Sequence, residues 1–563
     1  MNKKWEIYKT NEEKVEELQK KYKLNRLLST LLTNRGITEE TEIEKFLNPK
    51  RSDFYDPFGM PDMEKAVNRI IKAIDEKEKV IIYGDYDVDG ITSVTVLKSF
   101  LEERGIQVNV YIPNRLNEGY GLNKTAMEEI AKQGNKLMIT VDCGITAVEE
   151  VEYAKKLGIE TIITDHHEPA EELPKAIAVV DAKRKDNKYE CRNLAGVGVV
   201  FKLIQALSIK LKLDQKEYLK YLDIVCVGTI SDIVPLTDEN RVIVKLGLKL
   251  VEQTKNLGLK EILQSCGYSK INSTTISFGV APRINACGRM GKAEQALKLL
   301  LSKDIYEVNK LTQELNSYNR ERQEIEKEIF ENALTKIEQN NLAKNRTIVV
   351  GGENWHHGVI GIVSSKITEK YFKPSILLSF EEDGTGKGSG RSIPGFDLHE
   401  ALMKCENCLE KFGGHSMAVG LTIKKENLEQ FYKEFEKIAE ENKTENIVPI
   451  INVDAKIELD KIDKSVVEDL KQLEPFGEAN KTPTFALKNI RIDSIRALSE
   501  GKHLKLTLRE NNQIINAIGF NIGELAEAYK IGDKIDIAGV LEINTFNGID
   551  NLQINIKDIM KSI

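Results

Sequence analysis

Between residues 61 and 240 the hydrophobic pattern switches period repeatedly: amphipathic stretches alternate with short runs of consecutive apolar residues. AVNRIIKAIDEKE carries apolar positions at helical spacing, and KVIIYGDYD is an apolar run that ends in polar residues. TSVTVLKSFLEERG follows as a helix closing at Gly105, then QVNVYIPN (strand), TAMEEIAKQG (helix), KLMITVDCG (strand), VEEVEYAKKLG (helix) and IETIITDHH (strand). This alternation predicts βαβ units and a parallel, doubly wound α/β sheet. Helices fill 196–300. Residues 303 to about 340 lack Gly and Pro and are highly charged, which predicts one long, partly solvated helix bridging two domains. A second α/β segment begins at TIVVGGENW and runs to about 440, and ENKTEN (441–446) reads as a linker. From 447 to 563 short β-rich runs broken by polar turns suit a small barrel of the OB type. The first 60 residues read as small helices and a linker holding Pro49, Phe54, Tyr55, Pro57 and Phe58. The expected division is 1–60, 61–300, a connecting helix over 301–345, then 346–440 and 447–563.

Composition narrows the class. The chain has 563 residues, 41% hydrophobic and 30% charged, enough for three or four cores at roughly 150 residues each. Its 81 basic and 88 acidic residues give a net charge of −7, which excludes coating nucleic acid by bulk charge but leaves a local basic groove open. No apolar run approaches the ~18 residues of a membrane span, and MNKKWEIYKT lacks the apolar core of a signal peptide. Seven thinly spread cysteines argue against a disulfide framework and for a cytoplasmic location. Of only seven histidines, four form two adjacent pairs, His166–His167 and His356–His357.

Three of the predicted strands end in acids or histidines: Asp85, Asp87 and Asp89 after the first, Asp142 after another, and Asp165-His166-His167 after the next. Asp232 follows the apolar run LDIVCVGTI. Ligands of open α/β sheets bind beyond the carboxyl ends of the strands, and so many carboxylates at one edge need cations to neutralise them. Oxygen donors with one or two imidazoles suit Mn²⁺ or Mg²⁺, with two ions expected, better than Zn²⁺. Such a pair, ~3.5–4 Å apart, is a standard device for phosphoester hydrolysis. One DxDxDG alone would be weak evidence, since acid-rich loops are often solvated turns or Ca²⁺ sites.

GDYDVDGITS, VDCGIT, TDHHEP and GTISDIVPL, in this order, resemble the DHH phosphoesterases and, more closely, the RecJ exonucleases of single-stranded DNA. YIPNRLNEGYGLN, RINACGRMG, WHHGVIGIVSSKITEKYFKPSILLS, GSGRSIPGFDLHEAL, KFGGHSMAVG and LEPFGEANKTPTF extend the resemblance over roughly residues 50–563. It implies a parallel-sheet DHH domain, a connecting helix, a second α/β (DHH-associated) domain and a C-terminal OB-fold barrel. It also implies two metal ions on Asp87, Asp89, Asp142, His166 and Asp232, with Asp85 as ligand or close neighbour and Asp142 bridging. Tyr83 stands where many DHH phosphatases carry a histidine, so Asp85 is the candidate replacement. His167 either acts directly, protonating the leaving alkoxide or holding the phosphate, or merely orients His166 and Asp165; the direct role is favoured.

Arg283, Asn285 and Arg289 in PRINACGRMGK suit phosphate oxygens, with Gly288 and Gly291 permitting close backbone approach. Gly386–Ser392 is not a P-loop. It offers backbone N–H groups together with Ser389 and Arg391, and His356, His357, Gly414 and His415 are expected to face the same groove. His399 reads as packing or capping, and Cys405-x-x-Cys408 lacks a partner pair for zinc. Gly196-x-Gly198 fails as a dinucleotide fingerprint. Phe476 and Phe485 suit either base stacking or core packing. The function expected from the resemblance is a 5′→3′ exonuclease that releases 5′-mononucleotides from single-stranded DNA in repair and recombination. The strand would lie in a cleft between the α/β domains and continue along the barrel. A single-strand-binding protein and a helicase are the family-level partners, and monomer is the default state. The rivals are a small-nucleotide phosphatase or pyrophosphatase of the same superfamily, and a non-catalytic single-strand-binding scaffold.

Overall fold

The computed structural model describes residues 3–546 and 549–562. Two compact units emerge: Phe54–Ile447, and a unit joining Met1–Asp53 to Val448–Ile563. The chain opens in the second of these with β1 (Lys4–Ile7) and helices α1 (Glu12–Tyr22), α2 (Arg26–Asn34) and α3 (Glu40–Leu47).

The larger unit begins with α4 (Met63–Asp75), β2 (Val80–Gly84), α5 (Val88–Glu102), β3 (Val108–Tyr111), α6 (Lys124–Lys132), β4 (Leu137–Val141), α7 (Val148–Lys156), β5 (Glu160–Thr164) and β6 (Ala178–Val180). The five strands form one parallel sheet in the order β3-β2-β4-β5-β6. β2 and β4 are buried at every position, as parallel strands covered on both faces must be. One face packs Ile82, Val141 and Ile162 against α4, α5 and α8 (Gly196–Lys210); the other packs Ile81, Met138 and Ile163 against α6 and α7. The chain order reverses between β2 and β4, so the crevice of this sheet opens beyond their carboxyl ends. β6 escaped the sequence pattern because only three residues of it pair.

After α9 (Leu222–Ser231) and α10 (Ala281–Arg289), α11 runs unbroken from Ile305 to Gln339. Its first half buries Val308, Leu311 and Leu315 in the core of the first sheet. Its second half buries Ile329, Ala333 and Ile337 beneath β7 (Ile348–Glu353) and α12 (His357–Tyr371). β8 (Ser375–Phe380), β9 (Thr385–Arg391), β10 (Lys411–His415) and β11 (Ala418–Lys424) complete a second sheet, ordered β10-β11-β9-β8-β7.

In the smaller unit β1 pairs in parallel with β12 (Ile450–Val453), and β13 (Ala455–Lys456) runs beside the start of β14 (Phe485–Leu498). β14, β15 (His503–Glu510), β16 (Gln513–Gly519), β18 (Ile549–Lys561) and β17 (Lys534–Phe546) close into a barrel through the β14–β17 pairing. Leu18, Leu28, Leu31 and Phe46 of the first three helices share its hydrophobic core. Phe485 is buried there and serves the core, and half-buried Phe476 packs against it.

Candidate metal centre and phosphate cleft

Every acid of the centre stands just past a strand or at a helix end. Asp85 follows β2, and Asp87 caps α5 by accepting from the Gly90 N–H at 3.0 Å. Asp89 lies in the first turn of α5, Asp142 follows β4, His166 and His167 follow β5, and Asp232 closes α9. Gly90 is obligatory, since a Cβ there would lie 2.4 Å from the Asp85 carbonyl oxygen. Asp142 and Ile233 both adopt φ of 60°, a conformation that costs a β-branched residue such as Ile233 of order 1–3 kcal/mol.

Three groups of donor atoms each fall within 4.8 Å: Asp85–Asp87–Asp142, Asp89–His166–Asp232 and Asp142–His166–His167. His166 Nε2 is 3.2 Å from Asp142 Oδ1, and its Nδ1 is 3.5 Å from Asp232 Oδ2. Neither His166 nitrogen, nor Asp85 Oδ1, nor Asp232 Oδ2 has a hydrogen-bond partner among the described residues, although all are buried. Burial and the neighbouring Asp87 raise Asp89 to about 7; burial and Asp89 raise Asp232 to about 9. Burial, reinforced by surrounding carboxylates, likewise raises Asp85 and Asp142 well above the ordinary range. Burial depresses His166 to about 3, leaving it neutral, with one ring nitrogen unprotonated and able to hold a metal ion. At an effective dielectric near 20, two like charges ~4 Å apart repel by about 4 kcal/mol. A largely buried pocket of mutually repelling carboxylates with orphaned donor atoms fits one or two hard divalent cations. Tyr83 takes no part: its buried ring stacks on Tyr111 and its hydroxyl donates to the Gly121 carbonyl at 2.9 Å.

Asp165 is committed to scaffolding. One of its oxygens accepts from His166 N, His167 N and His167 Nδ1 (2.7, 3.2 and 2.7 Å), the other from Ile145 N. Burial pushes the His167 imidazole down, but the Asp165 carboxylate outweighs it and leaves it raised. Three residues at the centre carried no role from sequence: Tyr120, Gly196 and Val197. The Tyr120 hydroxyl lies 3.3–3.4 Å from the His167 ring nitrogens. Gly196 and Val197, opening α8, donate their N–H groups to Asp89 at 2.6 and 2.9 Å, and a Cβ on Gly196 would sit 2.7 Å from Asp142 Oδ1. That glycine, discarded as a failed dinucleotide motif, is what lets a helix N-terminus meet the centre.

Beside the acids lies a cluster of arginines. Arg289 donates to the Gly358 carbonyl at 2.9 Å, tying α10 to the start of α12. Burial and the fields of Arg115, Arg322 and Arg391 lower Arg289 to about 10, still protonated at neutral pH. Arg391 donates to Ser389 Oγ at 3.1 Å, and α12 approaches both so closely that a Cβ on Gly361 would touch them. Arg115 stands over the Tyr86 ring, and Arg322 on α11 is anchored by Asn319 and Glu326. Neither of these two arginines stood out in the sequence, because each is remote along the chain from the others.

Several expectations are corrected. Arg283 does not face the cluster; it donates to Gly279 O and Asn316 Oδ1, both at 2.7 Å. The Gly386–Ser392 stretch is not a loop with free N–H groups: its glycines lie on β9, paired with β8 and β11 on either side. Only Ser389 and Arg391 side chains remain available from it. Gly288 serves close packing on Tyr86 O. His356 caps α12, its Nδ1 accepting from Gly358 N at 3.1 Å, though it still feels the charge of Arg115. His357, one residue on and turned about 100° around the helix, pairs with Glu381 at 3.3 Å instead. Asn285 is half-buried on α10. Gly414 and His415 lie on the edge strand β10, where His415 aligns through Ala418 with Arg391, two strands away. His399 packs on Phe412, and Cys405 and Cys408 are buried free thiols.

Three family models match: the DHH family N-terminal domain over residues 79–229, the DHHA1 domain over 344–441 and the RecJ OB domain over 453–558. The single-stranded-DNA-specific exonuclease RecJ of Bacillus subtilis (strain 168) is 40% identical over 98% of this chain and 70% of its own length. The chain belongs to the RecJ family. The crystal structure of Thermus thermophilus RecJ with Mn²⁺ superposes with a TM-score of 0.87 at 28% identity, over 100% of this chain and 80% of that one. The same RecJ with Mg²⁺ gives 0.80 at 27% identity, over 100% and 79%. Mn²⁺ and Mg²⁺, held by that relative, are the kinds of ion expected from the oxygen-rich donor set. No helix among the described residues is long and apolar enough to cross a membrane.

Proposed function

We propose that this RecJ-family chain is a metal-dependent exonuclease that digests single-stranded DNA from its 5′ end to 5′-mononucleotides, in DNA repair and recombination. The observation that carries the reading is the placement of two sets of metal donors beside a cluster of arginines with few acids to neutralise it. Asp85, Asp87 and Asp142 would hold one ion and Asp89, His166 and Asp232 the other, with Asp142 shared. When bound, such ions supply Lewis-acid charge to the scissile phosphate and acidify a water. The chain's own part is positioning and proton transfer. Arg289, Arg391 and Ser389 grip a phosphate of the strand, their charge retained despite burial. His167, held by Asp165, which favours its protonated form, donates a proton to the departing 3′-oxygen.

The barrel supports a single-stranded polyanion. On its outer face Arg496 lies directly opposite Lys505, while Arg491 and the facing Arg509 share Asp493. Like charges across a strand pair are destabilising, yet they are gathered here in a module with 15 basic and 18 acidic residues from 447 onward. Half-exposed Ile514 and Phe520 interleave them, and cations alternating with apolar side chains match a sugar–phosphate backbone with its bases. We place the enzyme in the cytoplasm as a monomer, with a single-strand-binding protein and a helicase as partners. The test is a 3′-labelled single-stranded oligonucleotide with and without Mn²⁺, beside Asp142→Ala. A ladder shortening from the 5′ end, dependent on metal and absent in the variant, is expected; a strand bound but left intact in both Mn²⁺ and Mg²⁺ would reduce the protein to a binding scaffold.

A further inference from the structure

Phe278 is 72% exposed and Tyr268, beside it, 47%. Phe278 lies on a single π-helical turn, Ile276–Val280, that runs directly into α10. Such turns are rare and concentrate at functional positions. This one is held rigidly from two sides. Arg283 spans it, donating to Gly279 O and, through Asn316, fastening it to α11. The Tyr268 ring packs so closely on Gly279 that a Cβ there would come within 2.9 Å. Arg283, expected from the sequence to meet phosphate, is thus spent on immobilising an exposed aromatic ring.

The ring also has a direction. Phe278, Pro282, Asn285 and Arg289 follow one another at intervals of four, three and four residues, and all are exposed or half-exposed. Gly279, Val280, Ala281, Ile284, Cys287 and Gly288 turn inward. The four therefore form one stripe down the solvent face of the helix, roughly 16 Å long at about 1.5 Å per residue. It starts at the arginine cluster, passes Asn285, whose side chain makes no hydrogen bond among the described residues, and ends at Phe278. We infer that this stripe is a lane for the single strand and that Phe278 is a stacking platform for a base a few nucleotides from the phosphate held at Arg289. The inference rests on the proposed single-strand reading of the arginine cluster and adds to it a base-contacting site outside the cleft. A fixed aromatic face takes any base, which suits an enzyme that must advance along every sequence.

The test uses the full chain with single-stranded DNA carrying 2-aminopurine at successive positions from the 5′ end, in EDTA so that the strand stays intact. Quenching at one preferred register is expected, lost in Phe278→Ala and restored in Phe278→Trp. In turnover with Mn²⁺, Phe278→Ala should raise KM for a long oligonucleotide by roughly 5- to 100-fold, shrinking the advantage a long strand holds over a dinucleotide. Arg289→Ala separates the two claims. If it weakens strand binding while Phe278→Ala changes neither quenching nor KM, the platform is wrong and the phosphate reading stands. If neither variant weakens binding, the phosphate reading fails and takes the platform with it. If Phe278→Ala leaves DNA untouched but abolishes capture of a protein partner, the ring is a protein contact and the inference is overturned.

Discussion

At Asp142 two demands meet. The residue adopts φ of 60°, and burial together with the charges of Asp89, Asp87, Asp85 and Asp232 raises its carboxylate well above the ordinary range. Asparagine tolerates the same backbone conformation and the same space, so Asp142→Asn removes charge alone. In EDTA the variant should melt higher than the parent, by about 1 °C for each kcal/mol of repulsion relieved, since unfolding a unit of about 400 residues carries an entropy of about 0.8 kcal/mol/K. The rise in Tm that Mn²⁺ gives the parent should disappear with the activity. Differential scanning fluorimetry checks both, and a lower Tm in EDTA would mean that the carboxylate carries structural bonds instead. Gly196 offers the complementary case, because it is no ligand. Gly196→Ala puts a methyl 2.7 Å from Asp142 Oδ1 and disturbs the N–H that Asp89 accepts. Misplacing a support of this kind typically costs 10- to 100-fold in metal affinity or activity, to be read by Mn²⁺ titration calorimetry. Gly198→Ala, whose Cβ would meet only the Leu194 side chain at 3.3 Å, should be far milder.

The elements show which parts of this architecture were legible in the sequence. β2, β4 and β5 announced themselves because a fully buried parallel strand is an apolar run, and their acids follow within one to five residues. The long helix was legible because no Gly or Pro interrupts it. β9 was not picked out, for a physical reason: GTGKGSGR was expected to offer free backbone N–H groups, but the strand's glycines are demanded by Phe380, Leu378 and Val419 pressing on it. β1 was missed because four residues form a strand only against Ile450–Val453, at the opposite end of the chain. Cross-strand neighbours were equally invisible, so the cationic rows of the barrel appear only once β14 and β15 are in register. Replacing Arg496 and Lys505 by alanine should flatten the log–log salt dependence of long-strand binding by roughly 1.4, about 0.7 for each phosphate no longer neutralised. Loss of the like-charged pair should also stabilise the smaller unit by a few tenths of a kcal/mol to about 1 kcal/mol. Fluorescence anisotropy across a salt series measures the first and thermal melts the second; an unchanged slope would remove the barrel face from the binding site.

For the whole molecule, the decisive fact is which stretches share a core. The two sheets of Phe54–Ile447 are bound into one unit by α11, whose halves lie in both cores, and at its waist Glu326 holds Arg322 on its own helix and Lys366 on α12. The barrel instead takes its core partners from the first 53 residues, with Leu18, Leu28, Leu31 and Phe46 packed among Leu487, Leu504 and Ile537. Cooperative unfolding follows shared packing, so calorimetry of the full chain should resolve two transitions rather than one per family domain. The donors proposed for Mn²⁺ all belong to the larger unit, and a ligand stabilises only the state that binds it. Adding Mn²⁺ should therefore raise one transition and leave the other in place. Deleting the first 53 residues should do the reverse, lowering or abolishing the transition that ignores Mn²⁺ because the barrel loses part of its core. If Mn²⁺ instead moved both transitions together, the units would be coupled in unfolding, and the N-terminal helices would owe their place to more than the barrel they cover.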